Sequence, residues 1–133
     1  MKNEMYVYFQ IKDLNDDPAQ ITKILGVQPT KTYRKGDVIE NTILKKKSSG
    51  WEFRVDAEEN LDLEVLINKI LNIFVDKERL KDAIRLGKAH LNCVLYVKDN
   101  EPTLQLSSEV IKKISELDCS LWIDYYPMAS QES

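Results

Sequence analysis

Histidine occurs once in the 133 residues, cysteine twice, and glycine and proline four times each. These scarcities exclude a good deal. His90 stands alone, so a metal site there would need carboxylates for its other ligands. Cys93 and Cys119 lie far apart and fit no CxxC or zinc spacing. Both sit in apolar stretches, which predicts reduced thiols acting as small hydrophobes, with a bridge or a reactive thiol as the lesser alternative. No metal and no cofactor are expected. The few glycines form no GxGxxG or GxxxxGK[ST], GxSxG and HExxH are absent, and nothing places a nucleophile beside His90. No apolar run approaches the ~18 residues that span a bilayer. Met1–Met5 leads into no signal-peptide pattern, so a cytoplasmic location without a membrane is expected. A basic excess is also missing: net charge is −3 and the pI is near 5.3. That argues against nucleic acid as a partner, because phosphate neutralisation usually takes surplus Lys and Arg.

What is present suits one globular domain. Hydrophobic residues make up 43% and charged residues 31%, an ordinary soluble balance. We expect a single α+β domain over residues 1–127 and a flexible tail over 128–133. Met5–Ile11 alternates as a strand, with Lys12–Asp16 a turn. Asp17-Pro18-Ala19-Gln20 opens a helix that Gly26 closes. Trp51–Val55 is a second strand. Leu63, Leu66, Ile67, Ile70, Leu71 and Phe74 recur at helical spacing. Asp76 caps a further short helix ending before Gly87. Ala89–Lys98 is a third strand, Asp99–Pro102 a turn, and Ser107 or Ser108 caps a helix with Val110, Ile111, Ile114 and Leu117 as its apolar stripe. Leu121–Tyr126 is the last strand.

The first and last thirds repeat a strand–helix–strand plan. Two such split β-α-β halves predict a ferredoxin-like, pseudo-duplicated fold: an antiparallel sheet with helices on one face. Alternation then assigns the faces. Val7, Phe9, Trp51, Phe53, Leu91, Cys93, Leu95, Leu121, Ile123 and Tyr125 point to the core. Tyr6, Tyr8, Arg54, Tyr96, Trp122, Asp124 and Tyr126 share the open face with Gln10, Glu52, Asn92 and Val94. Five aromatics among polar residues on an exposed face suit a binding surface, since such side chains bury much area and keep one wet end.

Residues 28–50 are the least regular. Lys31, Arg34, Lys35 and Lys45–Lys47 carry six positive charges against Asp37 and Glu40. A solvated hairpin or loop is the plain reading, a basic flap over an anion the sharper one. Asp124, flanked by large apolar residues, is a candidate acid or base. The plainer alternative pairs it with a cation such as Arg54. His90 reads as a solvated strand end or a hydrogen-bonded structural residue.

Several segments occur together in a known order: Leu25-Gly26-Val27-Gln28-Pro29-Thr30, Lys35-Gly36-Asp37, Trp51, Pro102-Thr103-Leu104-Gln105-Leu106-Ser107 and Leu121-Trp122-Ile123-Asp124-Tyr125-Tyr126. The ordered set resembles the bacterial small-protein family catalogued as domain of unknown function 4279. The last segment departs from it, with Trp122 and Tyr125 where the family more often reads Leu-Asp-Ile-Asp-Ile-Tyr. The resemblance implies a single-domain bacterial cytoplasmic protein and supplies no activity or catalytic residues. The resulting expectation is a non-enzymatic binding or interaction module, with an immunity-type protein as its specific form, whose open face meets a protein partner or a second copy in a homodimer. The alternative is a small-molecule enzyme or sensor, with Arg34, Lys35 and Arg54 holding an anion between the basic flap and the sheet.

Overall fold

A computed structural model describes residues 4–58, 61–98 and 104–128. The turn expected at 99–102 and the tail beyond 128 lie outside these residues. The chain runs β1 (Glu4–Leu14), α1 (Ala19–Leu25), β2 (Lys31–Tyr33), β3 (Ser49–Asp56), α2 (Leu63–Ile73), α3 (Lys77–Ile84), β4 (Lys88–Lys98), α4 (Ser108–Glu116) and β5 (Ser120–Met128).

Local chemistry sets most boundaries. The Asp62 carboxylate accepts from Val65 N–H at the start of α2, Asp76 from Glu78 and Arg79 N–H at α3, and the Ser107 hydroxyl from Val110 N–H at α4. Each satisfies donors that a helix start leaves free. Gly26 ends α1 in the left-handed region at φ 68°, where a Cβ would be strained. β1 does not stop at Ile11. Asp13 takes φ 58° and the pairing with β3 shifts between Ile11 and Leu14, so the strand continues through an irregularity. Lys12 therefore stays in the ladder, opposite Lys88.

The strands form one sheet in the order β2-β3-β1-β4-β5. Every pairing is antiparallel except β4–β5, which is parallel and has α4 in its crossover. The sheet is thus mixed, where an antiparallel one was expected. The two β-α-β segments also differ. The strands flanking α1, β1 and β3, are antiparallel neighbours, and those flanking α4 are parallel neighbours. The repeated pattern in sequence does not correspond to two matching halves in space.

The core lies between the helices and the face bearing Val7, Phe9, Ile11, Leu91, Cys93 and Leu95, all fully shielded from solvent. Phe74 at the end of α2 meets Phe9, Phe53 and Trp51, with ring centroids 5.2, 6.1 and 6.3 Å away. Trp51 is buried, and its indole N–H donates to the Thr22 hydroxyl at 3.0 Å. This links α1 to β3. Burial of a side chain of this kind contributes about 1.5–3 kcal/mol.

The last strand departs from its expected packing. β5 is an edge, with β4 on one side only. Leu121 packs partly on the core, but Ile123 and Tyr125 remain 42% and 44% exposed. Both were expected inside. Among the described residues α4 is the helix that packs against β5. Ile111, expected on the inner stripe of α4, is also exposed.

Candidate functional site

The open face is laid out by strand register. One row across it reads Glu52, Gln10, His90, Ser120, from β3 to β5. The next reads Arg54, Tyr8, Asn92, Trp122, then Asp56, Tyr6, Val94, Asp124, with Tyr96 beside Tyr126. These side chains share a face because residues two apart along a strand project together. Tyr6, Tyr8, Arg54, Tyr96, Trp122, Asp124 and Tyr126 are therefore assembled on one surface, as their alternation predicts.

Within this surface the rings pack on one another. Tyr96 stacks on Tyr126 with centroids 5.0 Å apart and planes 17° from parallel. Tyr6 and Tyr8 are 6.3 Å apart at 28°. Cations cap several rings: the Arg54 guanidinium lies 3.6 Å above Tyr6, Lys12 Nζ 5.2 Å above Trp122 and Lys46 Nζ 4.3 Å above Tyr33. Such contacts are attractive through the ring quadrupole.

The centre of the face is drier than its rim. His90 and Asn92 are 9% and 5% exposed. Neither ring nitrogen of His90 has a hydrogen-bond partner, and neither does the Asn92 amide nitrogen. His90 is thus neither solvated nor hydrogen-bonded, contrary to both expectations for it. It meets the Trp122 ring edge-to-face at 5.0 Å instead. A buried polar group without a partner costs about 1–3 kcal/mol. Nothing in the sequence marked this burial, since the Trp122 ring that packs on His90 comes from β5.

Burial also biases the titrating groups. Desolvation lowers the pKa of His90, helped by Lys12 and Lys88 and opposed by Asp13. It raises those of Tyr6, Tyr8 and Glu52. In each case the neutral form is favoured. The thiols of Cys93 and Cys119 are pushed up to about 12, chiefly by burial, so both stay protonated and unreactive near neutrality. The structure has them as free thiols.

Two expected partnerships are not made. Asp124 and Arg54 lie on β5 and β3, with β1 and β4 between them, or roughly 14 Å at the usual strand spacing. Arg54 instead pairs with Asp56 at 2.6 Å. Arg34, expected on the basic flap, pairs with Asp17 at 2.5 Å and ties the 31–47 segment to the start of α1. The Lys35 N–H donates to Ser49 Oγ at 3.0 Å. In that segment β2 pairs with β3, and Val38 bridges Lys45, giving the hairpin form of the expected excursion.

A cleft of about 600 Å³ opens where β4 and β5 begin; it shares His90 with the face and is lined also by Lys81, Arg85, Lys88, Glu116 and Asp118 among others. No group of His, Cys, Asp and Glu able to hold a metal occurs among the described residues. No described helix is long and apolar enough to cross a membrane. A family model described as a domain of unknown function, DUF4279, matches residues 3–128. No curated protein and no solved structure matches the chain.

Proposed function

We propose that this chain, which belongs to the family of domain of unknown function DUF4279, is a non-enzymatic binding module whose partner surface is the open aromatic face of its sheet. The observation that carries this reading is the centre of that face. His90 and Asn92 are buried there without hydrogen-bond partners, Asn92 lies between Tyr8 and Trp122, and Tyr6, Tyr96 and Tyr126 follow further along the same face. Aromatic anchors around a desolvated polar centre are the make-up of an interface hot spot.

The partner is a protein in this reading, and a toxin neutralised by a cytoplasmic bacterial immunity protein is its most specific form. The rival reading is an anion held between the 31–47 segment and the sheet. It has less support, since Arg34 is taken up by Asp17 and Arg54 by Asp56 and the Tyr6 ring.

The test is retention of a partner from native extract, followed by a dissociation constant with that partner purified. Tyr8→Ser and Tyr96→Ser are compared with Ile111→Ser on the helix side. Affinity that falls about tenfold or more in the first two and holds in the third, the scale of hot-spot loss, supports the proposal. Equal affinity in all three overturns it.

A further inference from the structure

The hairpin between β2 and β3 carries its apolar side chains outward. From Arg34 to Lys45 every residue is exposed except the half-buried Ile39. Ile43, 94% exposed, is the most open large apolar side chain among the described residues, and Leu44 and Val38 follow at 63% and 62%. The tip is a built turn. The Ile39 N–H donates to Leu44 O at 2.8 Å and the Lys46 N–H to Asp37 O at 2.7 Å. The Thr42 hydroxyl closes the turn on Ile39 O at 2.8 Å, with Asn41 left-handed at φ 63°. At the base, Arg34 pairs with Asp17 and the Lys35 N–H donates to Ser49 Oγ.

Cations flank this apolar tip. Lys31, Arg34, Lys35, Lys45, Lys46 and Lys47 stand against Asp37 and Glu40, a local excess of four in a chain whose net charge is −3. The rest of the chain is therefore acidic. Among the described residues Lys35, Lys45 and Lys47 make no ion pair.

We propose that this hairpin docks on an anionic lipid surface, with Val38, Ile43 and Leu44 entering the boundary between headgroups and acyl chains and the lysines behind them meeting the headgroups. The proposal uses none of the aromatic-face residues and goes beyond the reading above. Reversible attachment to a bilayer takes an apolar insertion together with a basic patch, and the hairpin joins the two within a few residues. Charge complementarity also orients it: the surface that attracts the hairpin repels the acidic body. A protein is the poorer occupant. Interface hot spots favour Trp, Tyr and Arg and are poor in leucine and valine, whereas a bilayer accepts aliphatic side chains without a matching pocket. Lying on a membrane needs no spanning run, so the lack of one, from which no membrane was expected, does not oppose the contact.

The test is co-sedimentation of the purified full chain with vesicles of phosphatidylcholine and phosphatidylserine in equal parts, against vesicles of phosphatidylcholine alone, with far-UV circular dichroism to confirm folding of each variant. The wild type is expected to sediment with the anionic vesicles, to stay in solution with the neutral ones and to be released as salt rises. The double variant Ile43→Ser, Leu44→Ser is expected to lower the partition constant roughly tenfold or more, the scale of two apolar side chains left in water. The double variant Lys45→Glu, Lys47→Glu is expected to lower it roughly thirtyfold or more, through two attractions lost and two repulsions gained. Ile43→Trp is expected to add fluorescence that lipids brominated along the acyl chain quench, beyond any quenching of the wild type. Tyr8→Ser and Tyr96→Ser are expected to leave vesicle binding unchanged, so failure of the aromatic-face reading and failure of this one are told apart. No binding to the anionic vesicles at low salt overturns the proposal. So does binding that survives serine at both tip positions, which is attraction by charge alone, or a purified protein that holds the tip while vesicles do not.

Discussion

The two edges of the sheet are built on opposite terms. β2 is three residues long and pairs through Lys31, Thr32 and Tyr33. The Tyr33 ring lies against Gly50, and Lys46 caps that ring from the returning segment. The strand inside it, β3, carries Trp51 into the core. At the far edge, β5 is nine residues long and carries Trp122 into solvent at 49% exposure. Two tryptophans on similar alternating strands thus have opposite fates. The difference comes from what stands over them: Trp51 has Phe74 and the Thr22 hydroxyl above it, and Trp122 has only His90 at its edge and Lys12 over its ring. An edge that is short and covered is closed to further pairing, and one that is long and bare is open to it.

Replacing the two tryptophans tests this contrast most strongly. Trp51→Ala is expected to cost about 3–5 kcal/mol in urea unfolding, through the cavity it leaves. Trp122→Ala is expected to cost about 1 kcal/mol or less at concentrations where the chain is dilute, as surface substitutions do. Equal losses would break the comparison.

Gly50 provides the next test. A Cβ built at Gly50 collides with the Tyr33 ring. Gly50→Ala is therefore expected to displace Tyr33 and to cost about 1–3 kcal/mol, a typical overpacking penalty. Adding Tyr33→Ser is expected to recover most of that loss, since the collision is with this ring. No recovery would place the cost in the backbone instead.

The smallest effect concerns pH. The His90 pKa in the folded chain lies below its ordinary 6.5, mainly through burial. The unfolded chain therefore takes up its proton first as pH falls. Stability is highest above about pH 6.5 and declines below it, until the folded-state pKa is reached. Urea midpoints from pH 7.5 downward are expected to fall, and His90→Gln is expected to flatten the trend. As the chain has one histidine, its ring-proton titration in NMR reads this group directly, and a midpoint above 6.5 would contradict the burial.

Much of this architecture was legible in short-range pattern. Asp76 and Ser107 cap the helices their positions announce. Gly26 closes α1 in the left-handed conformation. Trp51 faces inward and seven candidate site residues share one face, as period-two alternation requires. These features depend on residues within a few positions of each other. Other expectations depended on distant neighbours and failed accordingly. Arg54 and Asp124 share a face but stand on β3 and β5. Arg34 is drawn to Asp17 by the path of a loop. His90 and Val94 are buried on the open face, where β1 and β5, strands distant in sequence, flank them. The strand–helix–strand pattern at each end is genuine, yet one pair of strands runs antiparallel and the other parallel.

The chain's own pattern of alternation and capping therefore determined which residues form each strand and helix and which side chains of a strand point together. It could not assign strand order, and strand order decided that Leu121–Tyr126, which reads as a strand with a buried face, is an edge exposed on both faces. The physical reason is that alternation states only that side chains share a side. Burial depends on what lies across from that side and beside that strand, and both are supplied by segments far away in the chain.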